Sequence, residues 1–344
     1  MSASAASVVE SKYVVYGPGD TVEFRTKTLK PKAGHVLVQV YANGVNPVEA
    51  KRSIGDKLPK SMERLSFWLV KGTPVGFEFS GVVAEDNNDC GYKKGDQVFG
   101  SMPPPGGSMG TYISVPEHQL APKPTSLSFE EASCLPLVGL TALQALKEYS
   151  DGKAKSICIV GASGGTGHVA IQVAKQLGFT TIVAVCSTRN LEFCKVLGAT
   201  RTIDYTKETV AQDLKNIVGD DNVDITMDCV TSGDPADQAM GYPQMLLPLT
   251  NIRYLRLGGV FSDWCVALVE RWGWNLFGKE KLFWIRFPHS KEELLQLKGY
   301  CDAGHLKPKI EKTVPFTIDG IQEAFADIMS RRAKGKIVIQ VKEE

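Results

Sequence analysis

Ile157-Cys158-Ile159-Val160-Gly161-Ala162-Ser163-Gly164-Gly165-Thr166-Gly167 carries the strongest fold signal in the chain. Four apolar residues run straight into a glycine-rich turn. After it Val169, Ala170, Val173, Ala174 and Leu177 recur at helical spacing on one face. The glycines allow positive φ and let a phosphate approach the backbone, while a helix N-terminus offers unpaired N–H groups and a positive dipole end. The order GxxGGxG is not the commoner GxGxxG, so as a bare pattern it is weak. Placed between a buried strand and a helix, with a further strand from Thr181, it reads as a dinucleotide phosphate loop.

The surrounding chain supports that placement. Strand-like runs at 181–186 and 224–230 alternate with helical spacing at 167–177 and 191–197, and two helical segments precede them at 129–135 and 141–149. Such alternation predicts right-handed βαβ units, hence a parallel sheet covered on both faces. The first ~130 residues differ, with short β-type runs (HVLVQVY from His35, FSGVVA from Phe79, GDQVFG from Gly95) broken by glycine and proline. From about residue 290 the pattern predicts a helix at 291–303, a proline-containing link, a helix at 318–331 and a strand at 336–341. With 344 residues the chain is too long for one ordinary core. The expected division is 1–130 as a β-rich module, 131–287 as a doubly wound domain, and 288–344 as a return to the first module.

The end of the second strand selects the cofactor. A site for NAD places an acid there to accept from the ribose hydroxyls. This chain reads Cys186-Ser187-Thr188-Arg189-Asn190, with no acid. An arginine in a loop is usually just solvated. Beside a serine, and with the acid missing, it suits a 2′-phosphate, which predicts NADPH.

Lys and Arg total 39 against 38 acids, a balance that points to neither a nucleic-acid nor a membrane-surface partner. No apolar run approaches the ~18 residues of a membrane span. MSASAASVVE lacks the basic flank and apolar core of a secretory signal, and it contains an acid and no arginine, against a mitochondrial presequence. Eight cysteines form no CxxC pair and several sit in apolar runs, the usage of a reducing compartment. A cytoplasmic location is expected.

Beyond these readings, the chain resembles the zinc-free quinone oxidoreductase and enone reductase branch of the medium-chain dehydrogenases/reductases. The likeness runs through Gly44-Val45-Asn46-Pro47-Val48-Glu49-Ala50-Lys51-Arg52, Gly76-Phe77-Glu78-Phe79-Ser80-Gly81, Leu135-Pro136-Leu137-Val138-Gly139-Leu140-Thr141-Ala142, the glycine loop, Ile203-Asp204-Tyr205 and Ala333-Lys334-Gly335-Lys336-Ile337-Val338-Ile339. The resemblance implies a GroES-like β-barrel catalytic domain plus a Rossmann doubly wound parallel-sheet domain. It implies Asn46 beside the nicotinamide ribose, Thr141 near the nicotinamide, and Ser163, Gly164, Gly165, Thr166 and Gly167 around the pyrophosphate. Ser187, Arg189 and Tyr205 would take the 2′-phosphate, and Lys336 would reach the cofactor. Lys51 falls where enone reductases carry a lysine in the substrate cleft.

Zinc-dependent relatives need a cysteine, a histidine and a further ligand converging tetrahedrally. Here 43–48 contains no cysteine, Phe77 stands at the histidine position, and only Cys90 remains of the structural quartet. No metal is expected. Without a Lewis acid, alcohol oxidation loses its means of lowering the hydroxyl pKa. Conjugate reduction of a small apolar enone, or reduction of a quinone, asks only for a donor at the developing oxyanion. Lys51 is the candidate catalytic residue, its plain alternative being a solvated lysine. Glu78 reads as a structural partner and His168 as a helix-surface or packing residue. The competing class is an NADPH-binding scaffold or sensor with little turnover. An enoyl-thioester reductase would want a basic rim that the sequence does not reveal. Two segments stand apart: 264–287, rich in tryptophan and phenylalanine, which suits a cleft roof or a homodimer contact, and 57–71, long enough for a lid.

Overall fold

The computed structural model describes residues 8–18, 21–53, 71–87, 89–207, 209–232, 237–257, 278–287 and 290–343. The expected lid (57–70 of 57–71) and most of the aromatic segment (264–277) lie outside them. Two units are distinct: Met1–Leu140 with Phe287–Glu344, and Thr141–Arg286.

In the first unit β1 (Val9–Tyr16) and β2 (Val22–Leu29) pair antiparallel. The strands β3 (His35–Val45), β4 (Glu78–Val83), β5 (Gln97–Ser101), β6 (Tyr112–Pro116) and β7 (Leu120–Pro122) follow. β3 is the spine. It pairs with β4 along one edge, and along the other first with β6 (His35 to Gln39) and then with the last strand of the chain (Ala42 to Val45). A register shift between Val40 and Ala42 bends β3 where it changes partners. Val36, Val38 and Val40 point inward on the period of two, against Phe79, Val98, Ile113 and Leu120.

The second unit begins its sheet with β8 (Ser156–Val160), β9 (Thr181–Cys186), β10 (Arg201–Asp204), β11 (Val223–Asp228), β12 (Thr250–Leu257) and β13 (Glu280–Phe283). Their order in space is β10-β9-β8-β11-β12-β13, every pair parallel. Counted within the unit this is 3-2-1-4-5-6, with the reversal between β8 and β11. Ile157, Cys158, Ile159 and Val160 are fully buried, as a central parallel strand with both faces covered requires.

Several elements escape the sequence pattern, β12 and the following three among them. β10 and β13 are edge strands of four residues with charged members (RTID, EKLF), too short and polar to show a period. The proline-containing link is β14 (Ile310–Pro315), an edge strand whose proline sits at its end, where no ladder bond is lost. β14 pairs parallel with β15 (Lys336–Gln340), which returns to β3 and sets Ile337 opposite Val45. Lys336 and Val45, 291 residues apart, thereby become neighbours. Among the described residues no helix is long and apolar enough to cross a membrane.

Candidate functional site

The glycine loop leaves β8 and enters the helix Gly167–Gln176. Gly161 holds φ +70°, a conformation that a side chain would strain. At Gly167 a Cβ would stand 2.3 Å from Gly161 O and 2.7 Å from Ala162 Cα, so only glycine lets the helix start so close to the turn. Thr166 caps this helix without a side-chain hydrogen bond, so its hydroxyl does not compete with an anion for the first-turn N–H groups, of which His168 N already donates to Gly164 O at 3.1 Å. His168 is fully buried rather than on the helix surface, and its Nδ1–H donates to Gly164 O at 2.8 Å, fastening the loop. Across the switch point, Asp228 at the end of β11 accepts from Val230 N and Thr231 N, both at 2.9 Å, and from Tyr254 Oη at 2.5 Å. The turn it holds lies against Gly161 and carries a buried Thr231 hydroxyl with no partner among the described residues. An uncapped helix end, a glycine cradle and an orphaned hydroxyl together fit a dinucleotide pyrophosphate.

The next strand ends in the turn Thr188–Asn190, with Ser187 half-buried and Arg189 exposed. Asn190 Nδ2 donates to Ser163 Oγ at 2.9 Å and to Ser187 Oγ at 3.3 Å, tying the turn to the phosphate loop. On its far side stands an acid that the strand itself lacks. Asp204 closes β10 directly opposite Cys186. Its Oδ2 accepts from Thr188 Oγ1 at 2.6 Å, and its Oδ1 accepts from Thr206 Oγ1 at 2.7 Å and Thr206 N at 3.1 Å. The Thr188 hydroxyl first, then the Thr206 donors and Lys207, hold this carboxyl below its ordinary value against a partial desolvation. Tyr205 follows, half-buried.

In the first unit Asn46 begins the helix Pro47–Ser53, with proline at its first position and Glu49 at its third. Glu49 Oε2 accepts the Asn46 N–H, and its Oε1 accepts Phe77 N at 3.0 Å. Glu78 is also fully buried. Its Oε1 accepts from Asn46 Nδ2 at 2.8 Å and from Lys336 Nζ at 2.6 Å, and its Oε2 from Leu137 N at 2.8 Å. The remaining Lys336 donors reach Val45 O at 2.9 Å and Asn46 Oδ1 at 2.5 Å. Every polar group of this cluster is answered, as burial demands. Burial, with the Glu78 charge adding, pushes Glu49 up to about 8, while Lys336 and the two backbone N–H groups pull the other way.

Of the residues expected in a site, the structure bonds Asn46 to Lys336 directly and links Ser163 to Ser187 through Asn190. Lys51 is half-buried on the helix that Asn46 begins, and Thr141 is half-buried on the helix Pro136–Leu146. Lys336 is only 1% exposed, with its ammonium enclosed by the cluster just described. Glu49 and Asp204 are not among the site residues that the sequence singles out. Asn-Pro-x-Glu was the available signal for the first; the second is visible only once β10 is seen beside β9. At Phe77, buried, no side-chain ligand is offered, and among the described residues no group of three or more His, Cys, Asp or Glu is placed to hold a metal.

Comparison with known proteins accords with this geometry. Residues 32–125 match the alcohol dehydrogenase GroES-like domain, and residues 197–339 match a family described as zinc-binding dehydrogenase. The chain is 32% identical over 338 residues to the 2-methylene-furan-3-one reductase of Solanum lycopersicum, spanning 95% of this chain and 77% of that one. It is 29% identical over 338 residues to the NADPH-dependent alkenal/one oxidoreductase, chloroplastic, of Arabidopsis thaliana, spanning 95% and 78%. The quinone oxidoreductase structure from Coxiella burnetii matches with a TM-score of 0.72 at 25% identity, over 97% of this chain and 100% of that one. A GroES-like module and a Rossmann sheet thus make up this chain, which belongs to the enone reductase and quinone oxidoreductase branch of the medium-chain dehydrogenase/reductase superfamily.

Proposed function

We propose that this chain is an NADPH-dependent oxidoreductase that reduces the carbon–carbon double bond of an enone or alkenal, or a quinone, without a metal. The observation that carries the reading is the glycine cradle at the switch point, joined to a turn that offers Ser187 and Arg189. Relatives that reduce a methylene-furanone, alkenals and quinones support the substrate class.

NADPH, when bound, supplies the hydride that adds to the β-carbon. Ser163 to Gly167 and the first turn of their helix would hold the pyrophosphate, and Ser187, Arg189 and Tyr205 would take the 2′-phosphate. By the resemblance, Thr141 would lie near the nicotinamide and Asn46 beside its ribose. Lys336 and Glu78 act through Asn46, gripping both ends of its amide. Negative charge develops on the carbonyl oxygen as the β-carbon is reduced, and the Lys51 ammonium donates to it. Solvent returns the proton at the α-carbon.

A binding measurement tests the cofactor half of this reading. NADPH is expected to bind at least about tenfold more tightly than NADH, roughly 1.4 kcal/mol. Arg189→Ala should remove most of that margin without weakening NADH. Equal affinities in the wild type would refute the assignment.

A further inference from the structure

We propose that Asp204 and Thr188 form the latch that fixes cofactor choice, with the carboxylate acting as a positioning residue for the turn that receives the 2′-phosphate. This rests on the NADPH reading above and goes one step beyond it.

An acid close to the adenosine ribose ordinarily speaks for NAD, because its oxygens accept from the ribose hydroxyls. Asp204 stands in that neighbourhood, opposite Cys186 at the end of the adjacent parallel strand. Its own chain has already engaged it. Thr188 Oγ1, Thr206 Oγ1 and Thr206 N occupy three of roughly four acceptor positions on the carboxylate. It is 6% exposed, while Thr188 and Thr206, which cover it, face solvent. A carboxylate so enclosed is a poor acceptor for a ribose diol and a good anchor for a turn.

The turn needs anchoring. It is a single short 3-10 turn, and its N-cap Ser187 receives no side-chain cap bond. Two of its side-chain fastenings come from opposite sides: Asn190 to Ser163 on the phosphate loop, and Thr188 to Asp204 on β10, where Thr206 Oγ1 also stands 3.1 Å from Thr188 Oγ1. Both are side-chain bonds, and the second is charge-assisted and therefore the stronger. With both made, Ser187 and Arg189 are held between two fixed points, so a 2′-phosphate meets donors that are already ordered and less freedom is lost on binding. A cofactor without that phosphate makes no use of Ser187 and Arg189 in this way and gains nothing from the latch.

The test uses the full chain and two probes that report this half-site without turnover, adenosine 2′,5′-bisphosphate and adenosine 5′-monophosphate, in calorimetric titrations. Thr188→Val removes the hydroxyl and leaves the charge. It is expected to weaken the bisphosphate about tenfold and the monophosphate less than about twofold, whereas Thr188→Ser should restore wild-type values. Asp204→Asn should weaken the bisphosphate in the same selective manner. Three results would overturn the latch. Thr188→Val could leave the bisphosphate unchanged; both probes could weaken equally, which marks general damage; or Asp204→Asn could tighten the bisphosphate, which marks Asp204 as a repelling charge. If the wild type itself binds the two probes equally, the NADPH reading fails and the latch with it. If the wild type discriminates and the variants discriminate as well, the latch alone fails.

Discussion

Replacing Lys336 with methionine is expected to destabilise the protein by about 3–5 kcal/mol, the cost of leaving a buried charge without its partner. The ammonium is all but inaccessible, and it is the cation beside a fully buried Glu78, with Glu49 also close. Methionine fills similar volume, so cavity formation adds little and the loss is electrostatic. Glu78 keeps Asn46 Nδ2 and Leu137 N as donors but loses its countercharge. A fall in melting temperature on the order of 10 °C follows for a unit of this size. Removing both partners in Lys336→Met/Glu78→Gln should recover roughly half of the loss, because no uncompensated charge then remains. A Lys336→Met cost below about 1 kcal/mol, the scale of an exposed pair, would show that the cluster is not the coupled unit described.

The second large effect concerns turnover. Lys51→Met is expected to lower the rate of enone reduction ~10²-fold, the scale of losing one oxyanion donor, while NADPH binds as before. Lys51 is half-buried and lies on the helix that Asn46 and Glu49 hold at its start, so its neighbours stay in place when its charge goes. Quinones should suffer less, since their reduction spreads charge over two oxygens. Enone turnover at the wild-type rate would remove Lys51 from the mechanism. A wild type as inert as the variant, with NADPH still bound, would favour a scaffold.

What the sequence disclosed follows from which features are local. Strand, glycine turn and helix are contiguous from Ser156 to Gln176, and each of β8, β9 and β11 is apolar enough to be seen alone. Ser187 and Arg189 lie at the end of their own strand and were visible for the same reason. Asp204 was not, because its place beside Thr188 depends on β10, a four-residue edge strand without a period. Lys336 was noticed by resemblance, as a residue reaching toward the cofactor. Only the pairing of β15 with β3 shows its ammonium enclosed by Val45, Asn46 and Glu78. Glu49 was hidden differently: an acid three residues after an asparagine reads as surface until both its oxygens are found on buried N–H groups.

Metal-free transfer of hydride from NADPH to an electron-poor double bond can be followed by isotope transfer. The chelator-treated protein would be given NADPH carrying deuterium at both C4 positions of the nicotinamide together with a cyclic enone, and the product analysed by mass spectrometry. One deuterium is expected, located at the β-carbon of the saturated ketone, at a rate that chelation does not change. A product without deuterium, or activity that chelation abolishes and zinc restores, would contradict it.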